Sequence, residues 1–75
     1  MDRIFQEIKQ EYQIAANKYP KFHSTHEGYA VLKEELDELW TEIKANKNLS
    51  GNGSMRKEAI QIATMAIRFI KDLCN

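Results

Sequence analysis

Between Met55 and Leu73 the chain carries more apolar side chains than one helix face can hold. At about 100° per residue, Met55, Ala59, Ile60, Ile62, Ala63, Met65, Ala66, Ile67, Phe69, Ile70 and Leu73 cover well over half the circumference of a helix. A helix in a lone three-helix unit buries one stripe. The surplus therefore predicts a subunit interface and a bundle completed by a second copy. Helix packing between copies would also remedy a small core.

The rest of the pattern is helical as well. From Asp2 to about Tyr19, residues Ile4, Phe5, Ile8, Tyr12 and Ala15 fall at helical spacing. Pro20 ends that segment, because the residue before a proline is pushed out of the helical region. A second helix opens on Ser24-Thr25-His26-Glu27, a capping box with Ser24 as N-cap and Glu27 at the third helical position. It should run to about Lys44, with Tyr29, Leu32, Leu36, Leu39, Trp40 and Ile43 as its apolar stripe. Asn46 to Ser54 reads as a turn or flexible loop, and Ser54 as the N-cap of the third helix. The expected fold is an all-α three-helix unit, one domain spanning 1–75, that assembles through its apolar third helix into an oligomeric helical bundle.

Size and charge narrow the function. A chain of 75 residues is near the limit at which one core is self-sufficient. Its one cysteine, Cys74, allows no internal disulfide, so a reduced, cytoplasmic protein is expected. The first residues lack the apolar region of a signal peptide. No apolar run approaches the roughly 20 residues needed to cross a bilayer, which argues against a membrane partner. A net charge of zero argues against a nucleic-acid polymer as partner.

That balance is uneven along the chain. Between Glu27 and Glu42 there are six acids and one base, Lys33, whereas Arg56, Lys57, Arg68 and Lys71 gather in the last segment. Glu35 and Glu38 project from adjacent turns of one face. Glu58 falls inside the apolar arc of the third helix, between Met65 and Phe69. A buried carboxylate is costly without a partner, so Glu58 needs a cation, either a metal or a basic side chain. Three carboxylates brought together would suit a hard cation such as Mg²⁺. The alternative is a polar helix rim paired with Arg56, Lys57 and Arg68.

Other residues also have two readings. Arg56 and Lys57 fall in the expected first turn of the third helix, where the dipole disfavours positive charge. They face either a bound phosphate or the acidic second helix, and Lys57 and Arg68 are the candidates for holding phosphate. Trp40, Tyr29 and Phe69 serve core packing or base stacking, Trp40 being the candidate for substrate. His23 and His26 read as cap-region or substrate-edge residues, since no Glu-x-x-His follows on a helix. Cys74 has no neighbouring base, and no protein nucleophile is indicated.

Leu32-Lys33-Glu34-Glu35-Leu36-Asp37-Glu38-Leu39, a loop, and then Glu58-Ala59-Ile60-Gln61 resemble the MazG-like, all-α nucleoside triphosphate pyrophosphohydrolases. The family motif pairs two glutamates three apart on one helix with Glu-x-x-Asp on the next. His26-Glu27-Gly28-Tyr29 and Gln61-Ile62-Ala63-Thr64-Met65-Ala66-Ile67-Arg68 resemble the small members encoded by phages and Gram-positive bacteria. The resemblance covers roughly Ser24 to Asp72. It implies Mg²⁺ (or Mn²⁺) held by Glu35, Glu38 and Glu58, with Glu35 and Glu38 as the catalytic pair and Gln61 as an auxiliary contact. It implies cleavage of a nucleoside triphosphate to the monophosphate and pyrophosphate by a homodimer or homotetramer. Gln61 stands where the motif has aspartate. An amide still offers a carbonyl oxygen, but it brings no charge and cannot act as a base. That departure keeps an alternative open: a non-catalytic module of the same fold that binds a nucleotide or a protein partner. A helical assembly protein without ligand is a third possibility.

Overall fold

The computed structural model describes residues 1–45 and 52–74. Three helices, α1 (Asp2–Lys18), α2 (Thr25–Ala45) and α3 (Asn52–Phe69), account for nearly all of them, and a π-helical turn, Ile70–Cys74, closes the chain. Among the described residues no strand is present. No helix of theirs is long and apolar enough to cross a membrane.

Local chemistry explains the boundaries. Tyr19 is extended (φ −123°, ψ 149°) because Pro20 follows it, and its N–H closes α1 on the Ala15 carbonyl at 2.9 Å. At the start of α2 the Glu27 N–H donates to Ser24 Oγ at 3.1 Å, as a capping box requires. The Glu27 carboxylate instead accepts from the His23 N–H at 2.5 Å, one residue before the cap. The third helix differs from expectation. It begins at Asn52, so Ser54 lies inside it rather than capping it. Residues 46–51 of the expected loop lie outside the described residues.

α3 is the central element. It packs against both α1 and α2, whereas those two have at most a marginal contact with each other. Two flanking helices thus use much of the apolar circumference that the sequence assigned to a subunit interface. Ile60, Ile62, Ala63 and Ala66 are half-buried within the chain, while Ile67 and Ile70 remain exposed. The larger surplus lies elsewhere. Tyr29, Leu36, Trp40 and Ile43 are exposed on α2, as are Ile4, Phe5 and Ile14 on α1. Only Leu32 and Leu39 of the expected α2 stripe are half-buried. The radius of gyration, 13.2 Å, exceeds the about 11 Å of a closed domain of this length. The unit is an open bundle.

The core is correspondingly small: Ala15, Phe22 and Met65, with Val31, Leu32, Phe69 and Leu73 packed against it. Phe22 comes from the α1–α2 connection. Arg68, buried on α3, donates to the Pro20 carbonyl at 2.8 Å and lies 4.5 Å from the Phe22 ring. Asp72 in the π turn accepts from the Phe22 N–H at 3.0 Å. The connection is thereby clamped to the end of α3.

Gly28 is the closest approach of α2 to α3. A Cβ there would stand 2.6 Å from Phe69 Cδ2 and 3.1 Å from Leu73 Cδ1. Alanine would gain up to about 1 kcal/mol of helix propensity but would force the ring and the π turn to shift, at about 1–3 kcal/mol. We expect Gly28→Ala to lower stability by about 1–2 kcal/mol in urea unfolding. Equal or higher stability would mean that this contact is loose.

Candidate metal centre

The packing of α2 on α3 brings the three expected carboxylates together. Glu35 and Glu38 sit on successive turns of α2, and Glu58 sits near the start of α3. One oxygen from each lies within 4.8 Å of the others, with Glu35 and Glu58 half-buried and Glu38 exposed. Glu35 Oε1 is fully occluded and has no hydrogen-bond partner. Ionised carboxylates only accept hydrogen bonds, so three of them at this range need a proton or a cation between them. Burial, then the charges of Glu38 and Glu58, pushes the Glu35 carboxyl up to about 7. Burial, with the Glu38 charge next, also raises Glu58.

The alternative, pairing with nearby bases, is not what the fold builds. Among the described residues no Lys or Arg nitrogen lies within 4.0 Å of these three carboxylates. Arg56 turns to α1 and grips Glu7 through both guanidinium ends, at 2.5 and 2.7 Å. That hydrogen-bonded pair holds Glu7 below the usual carboxylate range and raises Arg56. Because α3 starts at Asn52, Arg56 and Lys57 occupy its second turn rather than its first, and the helix-terminus argument for a phosphate there loses its basis. Asp37 pairs with Lys33 at 3.3 Å, away from the cluster.

The remaining candidates are dispersed. Lys57 is exposed and lines a cavity of ≈ 340 Å³ between α1 and α3, with Glu7, Glu11, Arg56 and Gln61. Trp40 is 55% exposed, with the Lys44 ammonium 5.5 Å from its ring, so it does not pack in the core of this unit. Arg68 is 5% exposed, its guanidinium engaged by Pro20 and Phe22. His23 is exposed beside Glu27, and neither histidine joins the acidic group.

Gln61 lies one turn beyond Glu58, and its amide nitrogen donates to the Glu11 carboxylate of α1. The sequence reading missed Glu11. Its signal is that Glu7 and Glu11 are like charges one turn apart, a mildly unfavourable arrangement unless donors face them. Arg56 and Gln61 are those donors.

A groove of ≈ 390 Å³ adjoins the cluster. Glu34 and Glu35 of α2 line it, with Gln61, Met65 and Arg68 of α3 and Tyr19 and Phe22 of the connection. Aromatic and aliphatic surface thus reaches Glu35, the one member of the acidic group that lines the groove.

The donor set fits a hard divalent cation. Two oxygens on one ion stand at most about 4.2 Å apart around Mg²⁺ and about 5 Å apart around Ca²⁺. Oxygens within 4.8 Å of one another can therefore share one ion, after closing by at most a few tenths of an ångström for Mg²⁺. The occluded Glu35 oxygen would gain the partner it lacks. No family profile matches the chain, and no curated protein or solved structure is significantly similar to it.

Proposed function

We propose that the chain is a Mg²⁺-dependent nucleoside triphosphate pyrophosphohydrolase of the MazG-like kind, with Mn²⁺ able to replace Mg²⁺. The observation that carries this reading is the convergence of Glu35, Glu38 and Glu58 around an occluded carboxylate oxygen that has no partner. Those three residues would hold the ion. When bound, it supplies charge neutralisation for the phosphates and lowers the pKa of water.

The chain's own residues supply the rest. The exposed Glu38 is the carboxylate best placed to take a proton from water, because Glu35 and Glu58 are the more buried pair. The groove alongside offers aromatic and aliphatic surface for a base. Of the two basic candidates for the phosphates, Lys57 is the one that faces solvent, since Arg68 is engaged within the fold. Self-association as a homodimer or homotetramer is supported by the exposed Tyr29, Leu36, Trp40 and Ile43 of α2 and by the small core.

The test is pyrophosphate release from ribo- and deoxyribonucleoside triphosphates with Mg²⁺ or Mn²⁺, run beside Glu38→Gln. We expect metal-dependent release that the variant lowers by at least about a hundredfold, since even the outer partners of a metal site are worth about ten- to a hundredfold. Silence across the panel from folded protein would rule out this activity.

A further inference from the structure

We infer that Glu11 is a positioning residue for the proposed metal centre: by accepting from the Gln61 amide nitrogen, it turns the Gln61 carbonyl oxygen away from α1 and toward the groove that Glu35 lines. This rests on the metal reading above. Glu11 touches neither the acidic cluster nor that groove.

The argument starts from the amide. A glutamine side chain has one donor end and one acceptor end, and only the acceptor can face a cation. Left alone, the group can present either. A carboxylate oxygen can only accept, so the hydrogen bond that Glu11 Oε1 takes from Gln61 fixes which end faces α1. The amide is planar, so its carbonyl then points elsewhere. Gln61 sits on the central helix, between Glu11 on one flanking helix and Glu35 on the other, and lines cavities with both. It is also one turn from Glu58 on the same helix. The carbonyl is therefore delivered to the cluster side by a carboxylate that is not itself a ligand. Outer partners of this kind orient the groups that bind a metal.

Glutamine suits this position better than an acid would. An aspartate facing Glu11 would set two carboxylates against each other across α1 and α3, and one would be driven to hold a proton. The Glu11–Gln61 pair thus explains why an amide stands beside three acids.

Mn²⁺ affinity, measured by electron paramagnetic resonance on the full chain, tests the idea with wild type, Glu11→Gln, Gln61→Asp and the double variant. Circular dichroism checks that each is folded. Glu11→Gln keeps the size but lets the Gln61 amide flip, so Mn²⁺ should bind about tenfold more weakly. In the Gln61→Asp background the sign should reverse, because removing Glu11 then relieves like-charge repulsion and Mn²⁺ binds more tightly. A merely structural role for Glu11, or a general loss of negative charge, would weaken binding in both backgrounds. Wild type that binds Mn²⁺ while Glu11→Gln matches it would overturn the positioning role alone. Wild type that binds no Mn²⁺ would overturn the metal reading and this inference with it.

Discussion

Glu35→Gln should make the metal-free protein more stable above pH 7 while removing the proposed response to Mg²⁺ and the proposed pyrophosphate release. The two effects share one cause. Glu35 is pushed up to about 7 by burial and by the Glu38 and Glu58 carboxylates, so the folded chain binds its proton more tightly than the unfolded chain does. Stability from that proton is fully present below the ordinary carboxylate pKa of about 4.5 and is lost as pH rises through about 7. Above pH 7 Glu35 adds its negative charge to a group whose neighbours, Glu38 and Glu58, already disfavour it. Glutamine is neutral at every pH and can donate to either neighbouring acid. Melting temperatures at pH 5.5, 6.5 and 8, with and without Mg²⁺, read the outcome. Without metal, wild type should lose stability across that range more steeply than the variant. With Mg²⁺, wild type should recover most at pH 8, where the ligands are free of protons. Pyrophosphate release by the variant should fall by more than about a hundredfold. Parallel pH profiles for the two proteins would mean that Glu35 is not held protonated in this way.

The fold and the site were legible in the sequence to different depths. Helical periodicity, Pro20 and the Ser24 cap located α1 and α2 within a residue or so, because those signals are local. Spacing placed Glu35 and Glu38 on one face of α2 and Glu58 in the apolar arc of the next helix, but left a polar rim paired with bases open. Grouping the three came from the family resemblance, and the structure brings them together. What local signals left open was which helix lies in the middle. An excess of apolar residues on α3 describes a central helix as well as an interface helix, and periodicity cannot separate the two. Once α3 is central, the exposed stripe falls on α2 instead, at Tyr29, Leu36, Trp40 and Ile43. Partner choice was hidden for the same reason. Arg56 faces Glu7, and Gln61 faces Glu11, across sequence separations of 49 and 50 residues. No local pattern encodes those pairings. Phe22 was missed as a core residue because it lies in a connection without periodicity.

Arg68→Ala should destabilise the chain strongly, and Arg68→Met should cost much less. Arg68 is 5% exposed, yet among the described residues no carboxylate lies within ion-pairing distance of it. Its charge is held by softer contacts: the Pro20 carbonyl at 2.8 Å, Met65 Sδ at 3.6 Å, and the faces of Phe22 at 4.5 Å and Tyr19 at 6.0 Å. A hydrogen bond from a charged donor is worth about 1.5–3 kcal/mol, and a desolvated cation–π contact about 2 kcal/mol. Alanine removes both and leaves a void beside Phe22 and Met65, two of the three buried apolar core residues. Both contacts are offset by the cost of burying the charge, so the loss on Arg68→Ala is set mainly by the void. At about 3–4 kcal/mol it is a large share of the roughly 4–11 kcal/mol expected for a domain this small. Methionine keeps the volume against Phe22 and buries no charge. Pro20 is an exposed residue, so its carbonyl can turn to water, and the cost should drop to about 1 kcal/mol. Urea unfolding of the three proteins at fixed concentration separates the contributions. Equal losses for alanine and methionine would show that the guanidinium contacts, rather than packing, fasten the connection to α3. The connection also forms one wall of the groove beside Glu35. On the proposed function, loosening it through Arg68→Ala should weaken nucleotide binding more than metal binding, because the three carboxylates are carried by α2 and α3 alone.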